Sequence, residues 1–389
     1  MKKLINLMIL LNIGLLSGQQ ASVTNVSAGQ RTDGSKIVDV YYDLAEDVVF
    51  TYFHVGLEVS FDDGANYQPI RFISGDAGNG VMAGTGKHIE WNLGAEFGGM
   101  YNEQTRVKVI ATGRFVEVNF DFVVVPAGDF TFGSDDETRN LSYNFEIMKY
   151  EVTNAQYAEF LINLQKNGDC QIDGNQVRGF YSGDEHYGPG DYLLIEMYND
   201  RIRWNGTTFI VEEGWGKFPV VGVTWFGAWK FADYYLLRLP TEEEWEKTAR
   251  GNTGWEYPWG ESIDNTRANY SNSGDPYDNG LTPVGFFDGG LHDGFQTTDS
   301  YSPFGAYDMA GNVTEWTSNW GYGNLSNRIF KGGAWRWGDY ECRVWWYGDW
   351  WMSWDHSDHL GFRCARTVST ARANYLLERQ QDYPGTLRK

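Results

Sequence analysis

Apolar and polar positions alternate with a period of two in KIVDVYYDL (36–44). Apolar and β-branched runs recur at 48–59, in HIEW (88–91) and in RVKVIA (106–111), separated by Gly, Asp and Asn turns. That spacing predicts a small antiparallel β-sandwich over 22–113. Within it, SFDDGANY (60–67) fits the loose Asp-box hairpin pattern of some sugar-active propellers, but one copy without repeats reads as a turn. No catalytic constellation falls in this region, which suits a spacer or docking module.

The pattern changes near 112–114, and FVVVPAGDFTFGS (122–134) opens a second region. Two helix starts stand out. Thr153 is an N-cap with Gln156 three residues on, and Tyr157, Phe160 and Leu161 follow at helical spacing. In RLPTEEEWEKTARG, Thr241 follows Pro240 and pairs with Glu244 as a capping box, while Glu242 and Glu243 suit the positive helix end. Trp245 then faces inward and Gly251 stops the helix. Between them, RIRWNGTTFIVEEG (201–214) predicts a hairpin folded at Asn205 and Gly206.

At 389 residues the chain is long enough for two domains. A formal charge of -21 argues against nucleic acid or an anionic membrane as partner, because both need clustered Lys and Arg; calcium or a cationic surface fits better. Aromatic content of 16% with 47 glycines points to turns and strands packed on large rings. Residues 1–20, with Lys2 and Lys3 before an apolar run ending at Leu16, read as an export signal. Gln19 stands where a lipidated Cys would, so no acyl anchor is expected, and no later stretch is apolar enough to span a bilayer. The expected location is secreted, extracellular or periplasmic. There, Cys170, Cys342 and Cys364 can form one disulfide and leave one thiol, without the sequence fixing the pair.

The densest stretch is 303–367. It carries a Gly-Asn turn with a carboxylate (Gly311, Asn312, Glu315), a Gly-Gly turn (Gly332, Gly333), a run of indoles and a closing Gly-Phe-Arg. Freed turn carbonyls need partners, and a hard cation is one solution. Together with EVTNAQYAEFL, FPVVGVTWFGAWKFADYYLLRLPTEEEWEKTARG, YPWG, ANYSNSGDPYDNGLTPVGFF, FGAYDMAGNVTEW, KGGAWR and GFRCAR, this stretch resembles the formylglycine-generating enzyme, or sulfatase-modifying factor, family over about 119–367. The resemblance implies an α+β, C-type-lectin-like domain, low in regular structure, preceded here by an all-β Ig/fibronectin-like sandwich.

The resemblance also implies two calcium sites. The first would use Asn269 and Asp275 with the backbone of Tyr270 and Tyr277; the second, carbonyls of Ala310, Gly311 and Val313 with the Glu315 carboxylate, whose alternative is a buried carboxylate satisfied by turn amides. Family members that oxidise a substrate cysteine resemble one another in holding Cu(I) between two cysteines after the Gly-Gly turn. Here Cys342 stands at the second place and Trp337 at the first. One thiolate does not make the soft clamp Cu(I) prefers, so copper is not expected unless Cys170 or Cys364 supplies the second sulfur. Histidines His356 and His359, beside Asp355 and Asp358, have ligand spacing without an evident third ligand and read as a surface turn.

Seven indoles, Trp335, Trp337, Trp345, Trp346, Trp350, Trp351 and Trp354, are the candidate ligand groove, about half of them core and the rest surface. Alternation of Trp335 and Trp337 suggests one strand face. The tail over 368–389 is basic at its end, with a short helical phrase at 371–380. Two functions follow. One is a secreted, calcium-stabilised, non-catalytic module binding protein or glycan at the cell exterior or serving a surface assembly. The other is a formylglycine-generating-type oxidoreductase acting through Cys342.

Overall fold

A computed structural model describes residues 21–46, 53–81, 84–98, 104–113, 120–197, 201–277, 279–323 and 326–368. The expected export signal at 1–20 and the helical phrase at 371–380 lie outside them. The regular elements of the described residues are mostly strands, with helices at Leu93–Phe97, Asn154–Asn167, Trp225–Tyr234 and Glu242–Arg250. None of these is long and apolar enough to cross a membrane. The chain divides into two compact units: one holds the described residues up to 113 with Ser182–Gly190, the other those of 119–181 and from 191 onward.

In the first unit the two-residue period becomes two antiparallel sheets. Ala21–Gln30, Ile37–Glu46, Gly84–Asn92 and Ile73–Gly75 lie in that order in one; Phe53–Ser60 pairs with Gln68–Pro69, Gly78–Val81 and Arg106–Gly113 in the other. Val38, Val40 and Trp91 from the first and Val55, Leu57 and Val107 from the second share one core. Burying each such side chain stabilises by about 1.5–3 kcal/mol. The 60–67 segment is a polar turn, with Ser60 Oγ accepting from Gly64 N at 2.9 Å and Asp62 Oδ1 from Asn66 N at 2.9 Å.

The second unit ties its ends together. Ala365–Val368 and Phe122–Val125 flank Asn144–Met148 in one sheet. Another runs Tyr347–Met352, Asn327–Lys331, Thr314–Trp320, Leu360–Gly361, the last pair parallel. Both predicted capping boxes form, at Thr153 with Gln156 and Thr241 with Glu244. The hairpin joins Ile202–Trp204 to Phe209–Val211, and Asn205 Oδ1 accepts from the N–H groups of Thr207 and Thr208. Helix Trp225–Tyr234, capped by Thr224, is the element pattern alone does not reveal. Trp225, Phe226, Ala228, Phe231 and Ala232 are all buried, so the first two turns show no polar face and leave little 3.6-residue stripe to read.

Candidate functional site

The site grows from two interlocked turns. Gly311 (φ 84°) and Asn312 (φ 61°) are left-handed, and a Cβ on Gly311 would collide with the Asn269 carbonyl. Asn312 N donates to that carbonyl at 2.8 Å, Gly311 N to Gly332 O at 2.7 Å and Trp335 N to Asn312 O at 2.9 Å. A Cβ on Gly333 would lie 2.7 Å from Cys342 Sγ, so the backbone presses directly on that thiol.

From Ala334 the chain turns sharply, Trp337 N donating to Ala334 O at 3.0 Å. Trp335 and Trp337 therefore do not share a strand face, as alternation suggested: Trp335 packs toward Val221, Leu281 and Val313, whereas Trp337 turns the other way. Trp337 meets Trp346 at 5.3 Å between ring centroids, Trp351 at 5.9 Å, Trp350 at 6.0 Å and His359 at 5.2 Å. These rings, with Arg336, Gly338 and Glu341, line a cavity of about 480 Å³. Trp345 and the shared Trp346 belong also to a second cavity of about 360 Å³, beside Arg139, Glu242 and Tyr322. Trp350 and Trp354 are 52% and 45% exposed.

None of the seven indoles is fully buried, which corrects the expectation that about half are core. The core indoles are Trp91, Trp225, Trp245 and Trp316.

His359 corrects another expectation. It is buried, not on a surface turn, because the Leu360–Gly361 strand that follows it is fixed alongside Thr314–Trp320. Its Nδ1 lies 2.6 Å from Ser357 Oγ and 2.9 Å from Asp358 Oδ1, while Nε2 has no hydrogen-bond partner. Burial holds its pKa below the ordinary range, against the opposing pull of Asp358. Burial also opposes ionisation of Asp358, but His359 and Arg336 outweigh it and hold the carboxyl below its usual value. His356 instead faces Glu196 at 3.4 Å, so the two histidines do not converge. Among the described residues, the one His, Cys, Asp and Glu grouping of metal-ligand size is Asp39, His88 and Glu90, and Arg31 already pairs with both its carboxylates.

All three cysteines are free thiols, so the expected disulfide is not formed. Cys170 begins the strand Cys170–Asp173. Cys342 packs with Tyr257 and Ala310, and Cys364 passes its carbonyl to Met148 N. Cys342 and Cys364 are completely buried, and burial pushes both thiols well up; Cys170 is pushed up to about 11.

Asn269, Tyr270, Asp275 and Tyr277 fall in one looped segment. Asn269 is 1% exposed and its Nδ2 donates to Gly280 O at 2.8 Å, but its Oδ1 is buried with no partner. Asp275 is also buried, accepting from Tyr277 N at 2.7 Å. A buried, orphaned amide oxygen in the same segment as a buried carboxylate, whose oxygens accept from Ser273 and Tyr277, is the donor chemistry a hard cation takes.

The second set does not fit. Arg363 donates to both Glu315 oxygens at 2.7 Å, and Trp245 Nε1 adds a third bond at 3.0 Å. A guanidinium and an indole therefore occupy the carboxylate intended for calcium beside Ala310, Gly311 and Val313. Turn amides go instead to Glu151, which accepts from Val313 N at 3.3 Å, and to Asp308, which accepts from Gly285 N at 2.6 Å. Burial pushes Glu151 well up and Asp308 up to about 6. Sequence reading passed over both acids because neither has a local partner that marks it.

A family model described as sulfatase-modifying factor enzyme 1-like domain matches residues 112–368. The chain is similar to serine/threonine-protein kinase Pkn1 of Chlamydia trachomatis, 34% identical over 208 residues, covering 51% of this chain and 28% of that protein. It is similar to the inactive C-alpha-formylglycine-generating enzyme 2 of Bos taurus, 26% identical over 267 residues, covering 58% and 81%. It is also similar to the formylglycine-generating enzyme of Thermomonospora curvata, 28% identical over 229 residues, covering 52% and 73%. The chain spans under a third of the length of the kinase relative.

Proposed function

The chain belongs to the sulfatase-modifying factor family, and on that premise we propose a secreted, calcium-stabilised, non-catalytic module that binds a protein or glycan partner at the cell exterior. Its second unit is read as the C-type-lectin-like variant and its first as an Ig/fibronectin-like sandwich, a reading supported by two antiparallel sheets over one core. The carrying observation is Trp337. Its indole stands where the family resemblance places the first copper cysteine, and it is held among Trp346, Trp350, Trp351 and His359 as a cavity wall.

Flat rings partly open to a cavity are binding groups, since they bury large area at little entropic cost. The oxidoreductase alternative draws less support: Cys342 is enclosed, its thiol is far from thiolate, and it faces no second sulfur among its packing partners. Relatives named as an active and as an inactive formylglycine-generating enzyme indicate that this scaffold serves with and without the chemistry. The first calcium set is supported by the partnerless Asn269 Oδ1. The kinase name carries no function here, since that match covers under a third of the relative.

A glycan array and a crosslinking screen on the intact chain, each with and without a calcium chelator, test the binding reading. A hit weakened by Trp337→Ala or Trp351→Ala is the expected result. Absence of any hit, or hits indifferent to both substitutions, ends it.

A further inference from the structure

The cavity bounded by Trp337, Trp346, Trp350 and Trp351 presents aromatic faces together with a carboxylate, Glu341, and an imidazole, His359. Indole faces carry the negative side of a quadrupole. Asp358, an acceptor when ionised, lies 2.9 Å from His359 Nδ1, so that nitrogen carries the ring proton. Ser357 Oγ, also within hydrogen-bond distance of Nδ1, has Asp358 Oδ1 at 3.4 Å to receive its own proton. Nε2 is then a bare lone pair, buried and without a partner, an unfavourable state unless a donor arrives. On the rim, Arg336 is neutralised by Asp358 at 2.8 Å, whereas Glu341 makes no hydrogen bond or ion pair among the described residues. The lining therefore carries one uncompensated negative charge beside aromatic faces, and its His359 wall holds a buried nitrogen without a partner.

Resting on the binding reading above, we infer that this cavity takes the protonated amine of a lysine side chain from a partner protein. The indoles hold the cation, His359 Nε2 accepts one of its N–H bonds, and Glu341 balances its charge. A quaternary ammonium would satisfy the rings and leave Nε2 without a donor. A neutral sugar hydroxyl would satisfy Nε2 and leave Glu341 and the aromatic faces without a cation. Exposed Trp354, which is not part of the lining, offers apolar surface for residues flanking the lysine, and the net charge of -21 draws cationic partners.

The test is calorimetric titration of the full chain with three peptides that differ only at one residue: lysine, acetyl-lysine and trimethyl-lysine. Glucosamine and a neutral oligosaccharide are titrated beside them. The lysine peptide is expected to bind, and acetylation to weaken it at least about ten-fold, the order set by a desolvated cation–π contact. Trimethylation weakens it less, and Glu341→Gln lowers lysine affinity without changing the melting temperature. Nitrogen NMR of the imidazole should show the unprotonated His359 nitrogen shifting on lysine binding. Equal affinity for lysine and acetyl-lysine overturns the inference, as does binding of the saccharides alone, which leaves the binding reading standing. Binding of none of these probes, together with an empty glycan and crosslinking screen, overturns both.

Discussion

Arg363 clasps Glu315 through both carboxylate oxygens, each at 2.7 Å, and neither side chain is exposed. Removing one partner from such a pair strands a buried charge, at a cost of about 3–5 kcal/mol. Arg363 also donates to the carbonyls of Met148, Lys149 and Tyr307, which binds the 148–149 corner to the Thr314–Trp320 strand. Urea unfolding should therefore show Glu315→Gln and Arg363→Met each losing several kcal/mol, with the double variant less impaired than the sum. Additive losses would show that the two act separately.

Asp308 links stability to pH. Burial pushes its carboxyl up to about 6, although the Gly285 N–H bond and Arg363 pull it down. A raised carboxyl holds its proton more firmly folded than unfolded. Its contribution is thus complete below about pH 4 and is lost as pH rises through about 6. Buried Glu151 shifts in the same direction, while His359, held low, works oppositely by losing stability as pH falls below its ordinary range. Comparing wild type with Asp308→Asn isolates Asp308 together with the part of the Glu151 shift that its charge causes. Wild type should lose on the order of 2 kcal/mol relative to the variant between pH 4 and 7. A difference that stays flat or grows with pH contradicts the assignment.

Calcium should act through Asn269. A ligand that binds only the folded chain stabilises it by about 2.7 kcal/mol at a hundred times its dissociation constant. Thermal melts are expected to rise with calcium and fall with chelator in wild type. Asn269→Ala or Asp275→Asn should abolish the difference. Identical wild-type melts in calcium and chelator would remove calcium from the proposal.

Thiol chemistry should follow burial. In native buffer a thiol reagent should modify Cys170 slowly and leave Cys342 and Cys364 untouched until denaturant is added, because thiolates react and enclosed thiols do not ionise. Titration of the reduced chain with Cu(I) should reveal no tight stoichiometric site. One that disappears on Cys342→Ser would restore the oxidoreductase reading.

Features encoded within a few residues were legible from sequence. The capping boxes at Thr153 and Thr241 need only a hydroxyl, an amide or carboxylate three residues on, and a helix between. The turn at Asn205 needs only its own side chain, and the sheets of the first unit follow from a two-residue alternation. Motif order over about 119–367 likewise marked the family, whose model matches residues 112–368.

Tertiary structure decided what depends on distant partners. Glu315 reads first as a calcium ligand, with a buried acid as the alternative, until Arg363, 48 residues away, takes both oxygens. Trp335 and Trp337 read as one strand face until a turn at Ala334 sends them into different neighbourhoods. His359 reads as a surface residue until the strand after it is fixed alongside Thr314–Trp320. Periodicity and capping are local hydrogen-bond geometry, and so are written in neighbouring residues. Burial and charge pairing are settled by which remote surfaces meet, and no short stretch of sequence specifies that.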